Sequence, residues 1–206
     1  MLASAIPDHE RIVTIEDAAE LRLPGSHVVR LEARPPNVEG RGEVALRELV
    51  RNALRMRPDR IVVGEVRGPE VLDMLQAANT GHRGLLTTVH AGGAEEVPAR
   101  LEAMALGAPG AALEVVRRLL AGGIGAVVHL ERGPTGRRVA AVAELVGGGH
   151  GPVRTVAVRV AGPGAGLVAT GHVPSWADRL DPSALTLFEP GPPATVRVLR
   201  PRWRRP

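Results

Sequence analysis

Two strand-like runs that end in acids, and a third flanked by histidines, carry most of the chemistry this sequence could perform. In the run IVTIEDAAEL, residues 12–21, a β-branched stretch leads straight into Glu16 and Asp17, with Glu20 one turn further on. In open parallel sheets, ligands bind beyond the carboxyl ends of the strands. Carboxylates at that edge hold Mg2+ or orient an attacking water. The same acids would equally suit the positive end of a helix, as cap and first-turn charges. In RPDRIVVGEVRG, residues 57–68, a second apolar strand ends in Glu65 after the small Gly64. Nucleotide hydrolases use this layout to bring a carboxylate near magnesium and the γ-phosphate.

The third run is GHRGLLTTVHA, residues 81–91, with His82 before a strand and His90 after it. An extended chain rises about 3.3 Å per residue, so the two rings stand roughly 25 Å apart and do not share a metal unless the chain folds back. His90 falls at the same strand end as the acids, where an imidazole can sense a γ-phosphate or simply be a satisfied structural histidine. Arg47, Arg51 and Arg55 recur every fourth residue and so form a stripe along one helix face. Such stripes are usually solvated, but this one leads into the strand that ends at Glu65, where arginine can neutralise phosphate.

These residues need a scaffold that brings several strand ends to one edge. Strands are expected at Arg11–Ile15, His27–Leu31, Arg60–Val63 and Leu85–Val89. Between them, Val44–Met56 has helical periodicity, with Leu46, Leu49, Val50 and Ala53 on one face. Pro69–Thr80 reads as a second helix, with Pro69 in its first turn and Gly81 at its end. Short strands alternating with helices predict an α/β fold with a mainly parallel sheet. Beyond His90, helices are expected at Ala94–Leu106 and Ala111–Leu120, and a strand pair at Ala126–Leu130 and Val139–Leu145. Gly147–Gly149 reads as a linker, which sets expected domains of 1–146 and 147–206. Weak strands at Val153–Val160 and Leu167–Ala169 follow in a Gly- and Pro-rich region.

Composition narrows the classes. The 206 residues include 44% hydrophobic ones but only three aromatics, Trp176, Phe188 and Trp203, so the core is aliphatic. Cysteine is absent, which excludes disulfides and thiolate metal sites. No apolar run approaches a membrane span, and a soluble cytosolic chain is expected. Every basic residue is Arg; there is no Lys. Five of the arginines, and no acid, fall in residues 191–206, so the net charge of +4 belongs to a basic tail on a nearly neutral body. A solvated end is expected there, and no nucleic-acid partner.

In this order the motifs resemble the type II/IV secretion ATPases, and among them the Tad-type (tight-adherence) pilus assembly ATPases. ERIVTIEDAAEL looks like that family's aspartate box, LVRNALRMRPDRIVVGEVRG like its Walker B stretch and DMLQAANTGHRGLLTTVHA like its histidine box. The resemblance implies a RecA-like P-loop NTPase core in a homo-hexameric ring. It implies ATP and Mg2+ as ligands, a cytoplasmic place against the inner face of the membrane, and inner-membrane platform proteins as partners. Glu16 and Glu65 would polarise water and support Mg2+, with Glu65 acting on the metal indirectly. Asp17 would stand beside them, and His90 and His82 would sense the γ-phosphate. Arg51 and Arg55 would approach phosphates at a subunit interface. One departure is plain. Family members carry a Gly-rich loop ending in Gly-Lys-Ser/Thr before the aspartate box, whose amides and Lys hold the phosphates. Here there is no Lys, and Met1–Ile6 resembles the end of the helix that follows such a loop. The expectation is therefore a truncated ATPase, inactive alone and needing a complementing N-terminal half. The alternatives are a non-catalytic protein that joins or modulates such rings, and a pseudogene product.

Overall fold

The structure, a computed structural model, describes residues 5–82, 84–133, 136–146, 153–160, 166–182, 185 and 188. The linker expected at Gly147–Gly149, the domain boundary beside it, the basic tail and most of Met1–Ile6 lie outside those residues. The chain forms two compact units, Met1–Ala91 with Pro98–Gly123 and Gly92–Val97 with Ile124–Pro206. No helix among the described residues is long and apolar enough to cross a membrane.

The first unit is built on four parallel strands: β1 (Ile12–Glu16), β2 (Val28–Glu32), β3 (Arg60–Val63) and β4 (Leu85–Thr87). Their order is β2-β1-β3-β4. Central β1 is buried along its whole length, as an almost continuous apolar run in a covered parallel sheet should be. Ile15 lies level with Leu31 on one side and Val63 on the other, so three strand ends are in register. β1 begins and ends one residue later than the sequence predicts, which makes Glu16 the last residue of the strand rather than the first beyond it.

Helices α1 (Leu46–Ala53) and α2 (Glu70–Asn79) turn Leu49, Val50, Val71, Met74 and Leu75 into the core. They are clamped by a buried carboxylate: Asp73 accepts from the Nε of Arg47 and, at 2.7 Å, from the Nε of Arg51. α1 stops three residues short of the predicted Met56. Pro58 disfavours a helical residue before it, and Arg57 leaves the turn with φ 51°. Arg55 therefore lies past the helix end, exposed. α3 (Val97–Leu106) is preceded by a 3-10 turn over Ala94–Glu96, so the predicted helix splits in two. α4 (Leu113–Gly123) runs three residues further than predicted, through two glycines. Asn79 explains them: its Nδ2 donates to Leu75 O and Leu119 O at 2.8 and 2.9 Å, and a Cβ on Gly122 would stand 2.2 Å from its Oδ1.

The second unit is an antiparallel sheet in the order β5-β6-β7-β8, comprising β5 (Val127–Gly133), β6 (Gly136–Leu145), β7 (Val153–Val160) and β8 (Gly166–Ala169). Val156, Ala177 and Phe188 form its small core, with Trp176 edge-on to Phe188 at 6.0 Å. Buried Glu144 anchors the segment after β8, accepting from Ser175 N at 2.8 Å and facing His172 Nε2 at 3.0 Å.

Candidate active site

The carboxyl edge of the parallel sheet gathers the acids. β1 delivers Glu16, 5% exposed, to that edge. Its Oε2 accepts from the backbone N–H groups of Glu20 and Leu21 at 2.9 and 2.8 Å, so the acid ties down the bend that follows, where no helix begins. Its Oε1 is buried without a hydrogen-bond partner among the described residues. A buried carboxylate oxygen left unpaired is costly, which makes this atom the most polar unfilled position of the edge. Gly64 packs closely beside it: a Cβ there would stand 3.0 Å from Glu16 Cγ, which would have to shift slightly.

β3 delivers Glu65 immediately after Gly64. The N–H of Gly64 continues the pairing with Ile15 O at 2.8 Å, and Val66 N–H bonds to Thr88 O at 3.0 Å, so the segment stays sheet-like past the end of the strand. Thr88 Oγ donates to Gly64 O at 2.7 Å, tying the end of β4 to the same turn. Glu65 Oε1 faces His90 Nε2 at 3.3 Å, and its Oε2 accepts from Arg67 at 2.9 Å. Arg67 also reaches Asp17 Oδ2 at 3.5 Å. Asp17, Glu65, Arg67 and His90 are thus one connected group. The Arg67 hydrogen bond pulls the Glu65 carboxyl below its ordinary 4.5; partial burial opposes the shift, and the charges of Arg67 and His90 add to it. Glu65 raises Arg67 in turn. The base of the group is fixed, because Glu70 Oε1 accepts the N–H groups of Arg67 and Gly68 at 2.7 and 2.8 Å.

The other expected site residues lie elsewhere. His82 precedes β4 and stands at the amino edge, opposite the acids, with its Nδ1 buried and unpartnered. Arg51 is engaged by Asp73. Arg55 follows α1 on the approach to the amino end of β3. An open polar cleft of about 390 Å³ also lies at the amino edge, lined by His9, Glu10, Asp59, Arg60, Gly81 and Gly84, and contains none of the motif acids. No group of three or more His, Asp or Glu among the described residues is arranged to hold a metal ion. Mg2+ is commonly held by one or two carboxylates, with water and phosphate oxygens completing its shell, and Glu16 Oε1 is an unpartnered carboxylate oxygen at this edge.

The family described as type II/IV secretion system protein matches residues 1–129. The chain belongs to that family. A Mycobacterium tuberculosis (H37Rv) protein named for conjugal transfer is 52% identical to this secretion-family chain over 159 residues, 77% of the chain and 44% of the relative. The type IV secretion system protein VirB11 of Brucella suis is 38% identical over 149 residues, 68% of the chain and 41% of the relative. The solved structure of the Brucella suis VirB11 ATPase, in complex with sulphate, is similar with a TM-score of 0.61 at 36% identity, covering 69% of this chain and 42% of that one. The secretion-family chain thus spans well under half the length of these relatives, and the fold they share with it is the RecA-like α/β core.

Sequence reasoning did not pick out Arg67 and Thr88. A signal for Arg67 exists: in the extended run Gly64-Glu65-Val66-Arg67, positions 65 and 67 lie on one side of the backbone. Thr88 carried none, since its hydroxyl serves the backbone of a neighbouring strand.

Proposed function

We propose that this chain supplies the carboxylate-bearing half of the nucleotide site of a secretion ATPase of the Tad pilus-assembly type. It would act in a homo-hexameric ring at the cytoplasmic face of the membrane, beside platform proteins of the secretion or pilus machinery. Glu65 orients and polarises the attacking water. His90, on the other side of that carboxylate, senses the γ-phosphate. Arg67 keeps Asp17 and Glu65 from repelling each other at the edge they share. Glu16 supplies the buried oxygen behind them. Mg2+, when bound with ATP, neutralises charge on the transferring phosphoryl group. Arg51 and Arg55, on the exposed side of α1 and just beyond it, are assigned to the interface with a neighbouring subunit.

The observation that carries this reading is the linked group Asp17–Arg67–Glu65–His90 at the edge where Glu16 keeps an unpaired buried oxygen. The 206 residues contain no Lys and so no Gly-Lys-Ser/Thr loop. Positioning and charge neutralisation of the phosphates depend mostly on such a loop. The purified chain is expected to release phosphate from MgATP no faster than buffer. Joined to the part of the Mycobacterium tuberculosis relative that lies outside the matched region, it is expected to turn over. Continued silence of the joined protein, once shown to be folded and to bind MgATP, would refute the catalytic reading and favour a ring-joining protein without activity.

A further inference from the structure

The segment that carries Glu65 and Arg67 lies past the end of β3, yet its backbone is tied down in steps. Gly64 N–H bonds to Ile15 O at 2.8 Å, and Gly64 O accepts from Thr88 Oγ at 2.7 Å. Val66 N–H bonds to Thr88 O at 3.0 Å. These bonds hold the segment as far as Val66, from β1 on one side and from the end of β4 on the other. Arg67 and Gly68 lie beyond their reach. The N–H groups of both turn to a single side chain, Glu70, whose Oε1 accepts them at 2.7 and 2.8 Å.

Glu70 is the first residue of α2 and is only 6% exposed. Part of its work is that of a helix cap. A carboxylate suits the positive end of α2, and a glutamate there can reach back to an N–H at the helix entrance. Capping alone does not account for the residue. Ser, Thr or Asn caps a helix without burying a charge, which costs desolvation. A cap also needs only the N–H groups at the entrance, whereas Glu70 takes that of Arg67 as well. Gly68 leaves room for this reach, since a Cβ on it would stand 3.1 Å from Glu70 Oε2. Held by its own N–H, Arg67 sends its guanidinium to Glu65 at 2.9 Å and to Asp17 at 3.5 Å.

We propose that Glu70 is a positioning residue for Glu65: by holding the backbone of Arg67 and Gly68, it sets the Arg67 guanidinium against the Glu65 carboxylate and fixes the direction in which that carboxylate presents its oxygens to water. Glu70 acts through Arg67. The inference rests on the assignment of Glu65 as the acid that orients the attacking water.

The test has two arms and three variants. Glu70→Ala removes the acceptor. Glu70→Gln keeps an acceptor oxygen with two lone pairs. Gly84→Ala, at the amino edge, lowers stability without touching this segment and serves as the control for a merely structural loss. In the first arm, NMR follows the full chain, reading exchange of the Arg67 and Gly68 amides and rotation of the Arg67 guanidinium, which slows when a carboxylate holds it. Glu70→Ala is expected to speed both, and Glu70→Gln and Gly84→Ala to keep both slow. In the second arm, ATP turnover is measured on the chain joined to the part of its Mycobacterium tuberculosis relative outside the matched region. Glu70→Ala is expected to lower kcat by about ten- to a hundredfold, as a misplaced group does. KM is expected to stay within about twofold, the pattern of an interaction lost in the transition state. Glu70→Gln is expected to restore most of kcat. An Arg67 guanidinium that stays held in Glu70→Ala would overturn the proposal. So would a parent-like kcat in that variant, or an equal fall in Gly84→Ala at matched melting temperature. Should the joined parent fail to turn over, the reading of Glu65 falls, and the Arg67 signals of the chain alone still decide whether Glu70 holds that side chain.

Discussion

At the scale of single residues, the structure separates polar groups that serve a site from polar groups that are a burden. Thr14 lies in the middle of β1, fully buried, and its hydroxyl has no hydrogen-bond partner among the described residues. An unsatisfied buried hydroxyl costs about 1–3 kcal/mol. Thr14→Val keeps the shape and the β-branching and removes that cost, so it is expected to stabilise the first unit by about 1 kcal/mol in urea unfolding. A loss of stability would mean that the hydroxyl has a partner, such as a buried water. Glu16 Oε1 is unpartnered in the same way, but it stands at the strand end among other acids, and there the cost fits a site. Arg67 acts on Glu65 first through its hydrogen bond and then through its charge. It is the largest cause of the lowered Glu65 pKa. Arg67→Met is therefore expected to move the Glu65 carboxyl upward toward its ordinary value, followed by carbon-detected NMR titration of the side chain. An unchanged titration would break the link between Arg67 and Glu65.

At the scale of elements, the amino ends of the strands have close contacts of their own. Gly84 opens β4 against β3, and a Cβ there would stand 2.6 Å from both Asp59 O and Arg60 Cδ. The backbone oxygen cannot yield without separating the strands. Gly84→Ala is expected to cost about 2 kcal/mol, within the range of overpacked sites, read from the shift in denaturation midpoint. Glu10, just before β1, pairs with Arg60, the first residue of β3. That hydrogen bond lowers the Glu10 pKa below 4.5. A lowered carboxylate contributes stability that is fully present above its unfolded pKa and is lost as pH falls through its folded value. The melting temperature of the native chain is thus expected to exceed that of Glu10→Gln at neutral pH, and the gap to close as pH drops below about 4.5. A gap that persisted at pH 2 would assign the effect to packing. Most of these elements were legible in the sequence because each is a short apolar run bounded by Pro, Gly or acids. The errors arose where a local stop ended an element early and where a tertiary partner carried one on. Pro58 and a left-handed Arg57 cut α1 short and carried Arg55 off the helix, while Asn79 allowed α4 to run on through Gly122 and Gly123.

At the scale of the molecule, the sequence motifs and the sheet topology agree on which strand ends share an edge. Glu16, Asp17, Glu65 and His90 were readable as a group because parallel strands put successive strand ends on one edge, and the edge does collect them. The same rule explains why His82 is elsewhere: it precedes the strand that His90 follows. For Arg51, periodicity revealed the stripe but not the buried Asp73 on the next helix that engages it. The central claim is that the carboxyl edge performs the hydrolysis and the amino edge does not. The most direct measurement is ATP turnover by the chain joined to the part of its relative outside the matched region, comparing Glu65→Gln with Glu10→Gln. Glu65→Gln is expected to lose about a hundredfold or more in kcat, in the range seen when a positioned acid–base group is removed. Glu10→Gln, at the opposite edge, is expected to stay within about twofold of the parent, as a surface change away from the reacting groups should. Turnover that survived Glu65→Gln, or that fell equally in both variants, would contradict the assignment of the active site to this edge.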